Sequence, residues 1–264
     1  MSNPIQPPSD EVRAVCDHCD RLIEAYLAEL TTRPNSIGRY ESEVEFFTLM
    51  KLMLRHFESL TVLARDDLVL APSGNLIART IFETSVRARW MFVPLDPYER
   101  EVRWVLFLRS GTTHAKKLAE STHIPKALIS AYDSRKSAYD GFDADICELL
   151  AKMDYQIPKQ APNVWEMLKE LKEPYLYSFY VLLSAYAHSN FEAASLYKRG
   201  LGGAKKLGEF TCVADWLLPF DVAWKSFFLA ARDFLAQIEA DVARFEQAAD
   251  LRGFERKLTQ LTKA

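Results

Sequence analysis

The stretch that decides the fold is Tyr175–Phe191, which reads YLYSFYVLLSAYAHSNF. It contains no Asp, Glu, Lys or Arg. A helix that is apolar nearly all round is usually one that other helices surround. We therefore predict a long buried helix over residues 174–197, beginning at Pro174, with the rest of the chain built around it.

Helical periodicity continues on both sides of this stretch. From Val12 to Leu30, apolar residues recur at the i, i+3, i+4 and i+7 spacing of an amphipathic helix. The same pattern and the Pro and Gly positions predict helices over 9–30, 40–64, 74–92, 97–121, 126–137, 143–153, 164–171, 174–197, 211–248 (bent near Pro219) and 251–262. Alternating strand patterns with hairpin turns are missing. We predict an all-α fold, an antiparallel helix bundle with extra peripheral helices.

The chain divides into three predicted parts. Residues 1–10 are polar and Pro-rich and are predicted to form a disordered leader, 11–248 a single helical bundle domain, and 249–264 a C-terminal helical tail. The leader lacks the basic and apolar regions of a signal peptide. No stretch reaches the roughly 18–20 strongly apolar residues that span a bilayer. With only four cysteines, these features predict a cytoplasmic protein that has no membrane contact.

Charge and aromatic content bear on the partners. A net charge of −3 gives no global basic field, so nucleic acid is a possible partner only through a local basic patch. The chain holds 16 Phe, 11 Tyr and 5 Trp, and aromatic residues favour interfaces. We therefore predict a homo-oligomer with a possible protein partner, and the amphipathic first and last helices are the expected contacts.

A polar stripe runs along the predicted central helix. Tyr180, Ser184 and His188 are spaced i, i+4, i+8, and Asn190 lies near the end of the stripe. A buried polar group without a hydrogen-bond partner costs roughly 1–3 kcal/mol. A neighbouring helix should therefore supply partners for this stripe.

The expected supplier is the third helix, where Arg79, Glu83 and Arg87 recur at the same spacing. We predict that Glu83 contacts either His188 or Arg79 inside the bundle. One interpretation is a structural polar network that sets the register of the helices. The other is a catalytic or ligand-binding site formed by Glu83, His188 and Arg79, because charges drawn into a cleft have perturbed pKa values.

These two helices also carry a resemblance. The Arg79-x-x-x-Glu83 helix, with Trp90 after it, and the Tyr180-x-x-x-Ser184-x-x-x-His188 helix resemble those of an uncharacterised bacterial family of all-helical proteins. The similarity covers roughly residues 40–200. It implies an all-α fold and an intracellular bacterial origin, and the family brings no assigned activity.

A second candidate site is a nuclease motif. Helical ribonucleases use an Arg and a His with four to six residues between them to hold the phosphate and assist attack by the 2′-OH. The chain has two such pairs, Arg13-x4-His18 and Arg109-x4-His114. The second is the stronger candidate, because the Gly-Thr-Thr between its members could open the fourth helix and expose them.

Metal and phosphate motifs are incomplete. The sequence offers three partial metal sets, Cys16-x-x-Cys19, Glu120-x-x-His123 and His188 with Glu192. Zinc sites need further ligands at finger spacing, and di-iron bundles need a second Glu-x-x-His. The Gly200–Gly208 loop lacks the phosphate-binding consensus. We predict no metal and no cofactor.

These observations predict a self-associating interaction or regulatory component of a bacterial stress or defence system. The alternative is a nuclease or nucleotide-processing enzyme, using either Arg79, Glu83 and His188 or the Arg109/His114 pair.

Overall fold

The chain is helical nearly throughout the residues that the computed structural model describes, which are 6–32, 38–119, 126–199 and 205–263. The helices are α1 (Asp10–Leu30), α2 (Glu41–Asp66), α3 (Ala71–Met91), α4 (Pro97–Ala119), α5 (Lys126–Lys152), α6 (Val164–Glu170), α7 (Tyr177–Ala187), α8 (Phe191–Ser195), α9 (Leu217–Gln237), α10 (Val242–Ala249) and α11 (Leu251–Leu261). Short 3-10 turns cover Leu68–Leu70, Pro174–Leu176 and Val213–Trp216. The described strands are β1 (Lys198–Arg199) and β2 (Lys206–Leu207), antiparallel with Lys198 opposite Leu207. The predicted all-α class is confirmed.

The core lies between α1, α2, α3 and α9. Helices α2 and α9 are antiparallel: Phe57 stacks on Phe227 at 5.3 Å, and further along Phe46 meets Phe234 at 5.1 Å. At the start of α3, a Cβ on Gly74 would lie only 2.8 Å from the Trp216 ring. The absence of a side chain there allows the close approach of these two segments.

Helices α3 and α9 run in the same direction. Trp216 Nε1 donates to the carbonyl of Leu68 just before α3, and near the other end Arg89 Nε donates to Asp233 Oδ2 at 2.7 Å. An antiparallel neighbour needs only a short loop, whereas a parallel one needs a long crossover. The chain between α3 and α9 makes that crossover, so the bundle combines antiparallel neighbours with parallel ones.

The prediction of a long buried helix over 174–197 is wrong. The stretch forms a 3-10 turn, then α7 of 11 residues, then the short α8. A break follows α7 at His188, and Ser189 has a positive φ of 47°. Within α7 only Leu183 and Ala185 are buried. The stretch lacks charge but lies on the surface, and α3 occupies the centre instead.

Two other boundaries differ from their predictions. Residues 126–152 form one continuous helix, α5, where two were predicted. The predicted helix over 211–248 is divided into α9 and α10, because the chain turns at Glu239, which has φ 55°. Pro219 lies in the first turn of α9, where a missing N–H costs no hydrogen bond, so it begins the helix and does not bend it.

Both ends of the described chain pack on the bundle. Gln6 N donates to Asp67 Oδ1 at 3.0 Å, and Phe254 of α11 stacks on Trp224 at 4.5 Å. The guanidinium of Arg244 on α10 pairs with the buried Glu29 of α1. Residues 1–5 lie outside the described chain. Within the described residues, no helix is both long and apolar enough to cross a membrane.

Candidate functional site

Arg79, Glu83 and Arg87 form a row of ion pairs, here called the charged ladder, on the side of α3 that faces α7. Arg79 Nε donates to Glu83 Oε1 at 2.8 Å, and Arg87 Nη2 donates to Glu83 Oε2 at 3.1 Å. The i, i+4 spacing places all three side chains on one helix face. The predicted Glu83–Arg79 contact is therefore present, and the Glu83 carboxylate lies between two guanidinium groups.

The ladder does not reach His188. Arg89 pairs with Glu173, and ten residues earlier on α3 the guanidinium of Arg79 lies over the Tyr180 ring at 5.1 Å, so α3 and α7 run antiparallel. With Arg79 beside Tyr180 and a rise of 1.5 Å per residue, Glu83 and His188 lie roughly 18 Å apart along the helix axes. The structure thus brings Glu83 to Arg79 and leaves His188 at the far end of α7.

The polar groups of α7 and the turn after it mainly form hydrogen bonds with backbone groups nearby in the chain. Ser184 Oγ donates to the carbonyl of Tyr180 at 2.6 Å, a common bond to the preceding helical turn. His188 is exposed and caps the end of α7 through its backbone N–H. Asn190 Oδ1 accepts from Ala193 N at 3.3 Å, at the start of α8. The side chains of Ser184 and Asn190 thus bond to backbone groups close to them in the chain.

An aromatic pocket opens beside the ladder, between α6 and α7. Trp165, Tyr177 and Tyr180 line it together with Asn163 and Val164, around a volume of about 400 Å³. The rings of Trp165 and Tyr177 meet edge to face at 5.2 Å, and Tyr177 stacks on Tyr180 at 5.5 Å. The sequence prediction named Tyr180 alone. The i, i+3 spacing of Tyr177 and Tyr180 was the signal that could have indicated a shared aromatic face.

A larger cleft of about 990 Å³ lies between α4, α6 and the 154–162 segment. Trp90, Arg103 and Glu170 on its wall bind one another: Trp90 Nε1 donates to Glu170 Oε2 at 3.0 Å, and Arg103 pairs with Glu170 at 2.8 Å. Arg103 also stacks over the Trp90 ring and donates to its backbone carbonyl. Their polar groups are thus engaged within the protein.

A family model described as a family of unknown function (DUF5677) matches residues 46–201, which is more than half of the chain. The chain belongs to DUF5677. No curated protein and no solved structure matches the chain. The matched stretch contains the charged ladder, the aromatic pocket and α7, and it ends before α9. All the features of the candidate site thus belong to the DUF5677 part of the chain.

The nuclease motif also falls within the DUF5677 stretch. Arg109 Nε donates to Asp143 Oδ1 at 2.9 Å, and Arg109 Nη2 lies 2.9 Å from Cys147 Sγ. Burial, with the nearby Asp143 carboxylate, raises the pKa of the Cys147 thiol. The side chain of His114 lies outside the described residues. Arg109 thus holds α4 against α5.

The other Arg-x4-His pair and the Cys-x-x-Cys pair precede the DUF5677 match. His18 is buried, and its Nε2 lies 3.0 Å from the carbonyl of Ala249 and 2.9 Å from that of Asp250. Cys16 and Cys19 are buried on the inward face of α1. Burial raises the pKa of the Cys16 thiol to about 12 and that of Cys19 well above its ordinary value. These groups pack the core.

Metal ligands do not cluster in the described chain. No group of three or more His, Cys, Asp or Glu side chains within the described residues has the arrangement of a metal site. Glu120, His123, the Glu192 side chain and residues 200–204 of the glycine-rich loop lie outside that part.

Proposed function

We propose that this DUF5677 protein is a non-enzymatic interaction protein that associates with a second copy of itself through the outer face of α7. We define the α7 face by Tyr175, Val181 and Leu182, with Phe191 just past the end of the helix. Val181 and Leu182 are neighbouring residues of α7, Tyr175 lies in the turn just before the helix, and all three are exposed to solvent.

The observation that carries the proposal is the exposure of this face. Tyr175 is 70% exposed, Phe191 68%, Val181 53% and Leu182 48%. A full aromatic side chain presents about 150–250 Å², so the two rings alone expose roughly 280 Å². With Val181 and Leu182, the exposed apolar area along α7 and at its two ends sums to a few hundred Å², a size at which exposed apolar surface on soluble proteins is often functional.

The composition of the α7 face favours a second copy as the occupant. In a two-fold symmetric dimer the same surface of both copies meets, so an excess of charge on that surface would face the same charge on the partner and be repelled by it. Residues 175–191 carry no charged side chain, and two such faces can meet without repulsion. A standard interface buries about 800 Å² per partner. The α7 face can supply the apolar centre of such an interface.

The enzymatic alternative has less support in the described geometry. Glu83 is bound by two arginines, His188 lies at a different level, and Arg109 is held by Asp143. The candidate catalytic groups are thus engaged in ion pairs or separated. The predicted role in a bacterial stress or defence system and the predicted cytoplasmic location stay predictions of the sequence.

Sedimentation velocity over a wide concentration range tests self-association. We expect the wild-type protein to dimerise and Val181→Glu to remain a monomer, because the substitution places two buried carboxylates at the interface. The matched control is Val62→Glu, since Val62 is 62% exposed on α2, and it should dimerise like the wild type. A wild-type monomer at the highest concentration, or equal dimerisation of both variants, would contradict the proposal.

A further inference from the structure

The aromatic pocket between α6 and α7 has the composition of a ligand site and is lined by residues other than those that define the α7 face. Its three rings are partly exposed, with Trp165 39% exposed. Its volume of about 400 Å³ falls within the roughly 300–1,000 Å³ of small-molecule pockets. We infer that the pocket binds a mononucleotide, with the base against the rings and the phosphate toward Lys169.

The rings suit a planar ligand. Trp165 stands edge to face with Tyr177, and Tyr177 stacks on Tyr180, so three aromatic rings meet in the wall of the pocket. Bases stack on such side chains with little dependence on sequence, because every base has a π-face. An aliphatic ligand would bury apolar surface against these rings but could not stack on them.

The charges around the rings select an anion. Lys169 Nζ lies 5.3 Å from the centre of the Trp165 ring, and the Arg79 guanidinium lies 5.1 Å from that of Tyr180. An aromatic cage for a quaternary ammonium ligand would bring a third cation beside these two, which like-charge repulsion opposes. The carboxylates on these helices are themselves engaged: Glu83 is bound by Arg79 and Arg87, Glu166 caps the start of α6, and Glu170 pairs with Arg103.

Arg79 adds a second indication. Its Nη1 is buried and has no hydrogen-bond partner among the described residues, although Nε binds Glu83. A buried donor without a partner is costly, and such groups in native proteins call for an explanation. Tyr180 lines the pocket and lies against this guanidinium, so a small movement of its ring would let a bound base accept from Nη1.

Isothermal titration with AMP, GMP, CMP and UMP tests the inference, with choline as the competing ligand class. We expect at least one nucleotide to bind and choline not to bind. Trp165→Ala should weaken nucleotide binding by about 10- to 100-fold, because stacking of a base contributes that much. Tyr139→Ala, an equally exposed aromatic on α5, is the matched control and should bind like the wild type.

A second variant distinguishes the contribution of the phosphate to binding from that of the base. Lys169→Gln should weaken binding of the nucleotide by about three- to tenfold at low salt and leave binding of the corresponding nucleoside unchanged. Because Lys169 is exposed, folding should not be affected. Failure of all four nucleotides to bind, binding that Trp165→Ala leaves unchanged, or preference for choline would each overturn the inference. Sedimentation of the same variants shows whether self-association is intact, so the two proposals can fail independently.

Discussion

Arg89 joins three parts of the molecule through a single side chain. Its guanidinium, only 4% exposed, binds Glu173 just before α7 in bidentate fashion and also Asp233 of α9. Burial acts to lower the pKa of Arg89, but the hydrogen bonds and charges of the two carboxylates raise it overall. The α6–α7 side of the molecule is thus fixed to α3 and α9 at one buried point.

Replacing Arg89 by Met should lower the free energy of unfolding by about 3 kcal/mol, because the mostly buried Glu173 loses its counter-charge and Asp233 keeps only that of Arg232. Urea denaturation measures the change. Arg55→Met is the control: Arg55 forms an exposed pair with Glu58, and such pairs contribute less than about 1 kcal/mol. Similar losses in the two variants would show that Arg89 is not a buried anchor.

At the scale of the element, α1 shows how a motif takes its meaning from its helix face. Cys16 and Cys19 lie on the buried face, and Cys16 Sγ lies 3.9 Å from the carbonyl of Thr61 on α2. A metal-binding or redox dithiol needs accessible thiolates. The spacing alone does not distinguish the two cases, since i, i+3 is also the spacing of a core face.

These thiols predict a loss of stability at alkaline pH. In the unfolded chain a thiol loses its proton near pH 9.0, whereas burial raises the pKa of Cys16 in the folded chain to about 12. The stability present below pH 9 should therefore fall as the pH rises toward 12, by up to about 1.4 kcal/mol per pH unit for each thiol. Urea denaturation between pH 8 and 11 measures the slope.

The double variant Cys16→Ala with Cys19→Ala should show a flatter slope across this pH range. Cys212→Ala serves as the control, because Cys212 is exposed and should leave the slope as it is in the wild type. A slope that the double variant does not change would assign the alkaline loss to other groups, such as Tyr26, whose pKa burial also raises.

For the whole molecule, the last helices complete the core that α1, α2, α3 and α9 begin. Phe254 and Leu261 of α11 are buried, and the Phe254 ring stacks on Trp224 of α9. The His18 ring of α1 lies 6.0 Å from the same Phe254 ring. Residues 249–263, which belong to the predicted helical tail, therefore contribute to the packing that closes the bundle.

Phe254→Ala should lower the free energy of unfolding by about 3–5 kcal/mol, the cost of removing a fully buried aromatic ring. Thermal and urea unfolding followed by circular dichroism both report it. Tyr139→Ala on α5 removes an exposed ring and should cost less than about 1 kcal/mol. If the two variants lost the same stability, α11 would be a peripheral tail.

The sequence by itself determined the local features. Periodicity located most helices, because a side-chain spacing of 3.6 residues depends only on neighbours along the chain. It also placed Arg79, Glu83 and Arg87 on one face, and the structure shows their ion pairs. The all-α class follows from the same pattern.

Only the tertiary structure decided which helix is central and which residues meet across helices. An uncharged helix can be covered by its own chain or by another molecule, and the composition of Tyr175–Phe191 is the same in both cases. The pairing of Glu83 with Arg79, and not with His188, depends on the antiparallel register of α3 and α7. That register is set by contacts between segments about 80 residues apart, such as Arg89 with Glu173. No spacing within either helix encodes it.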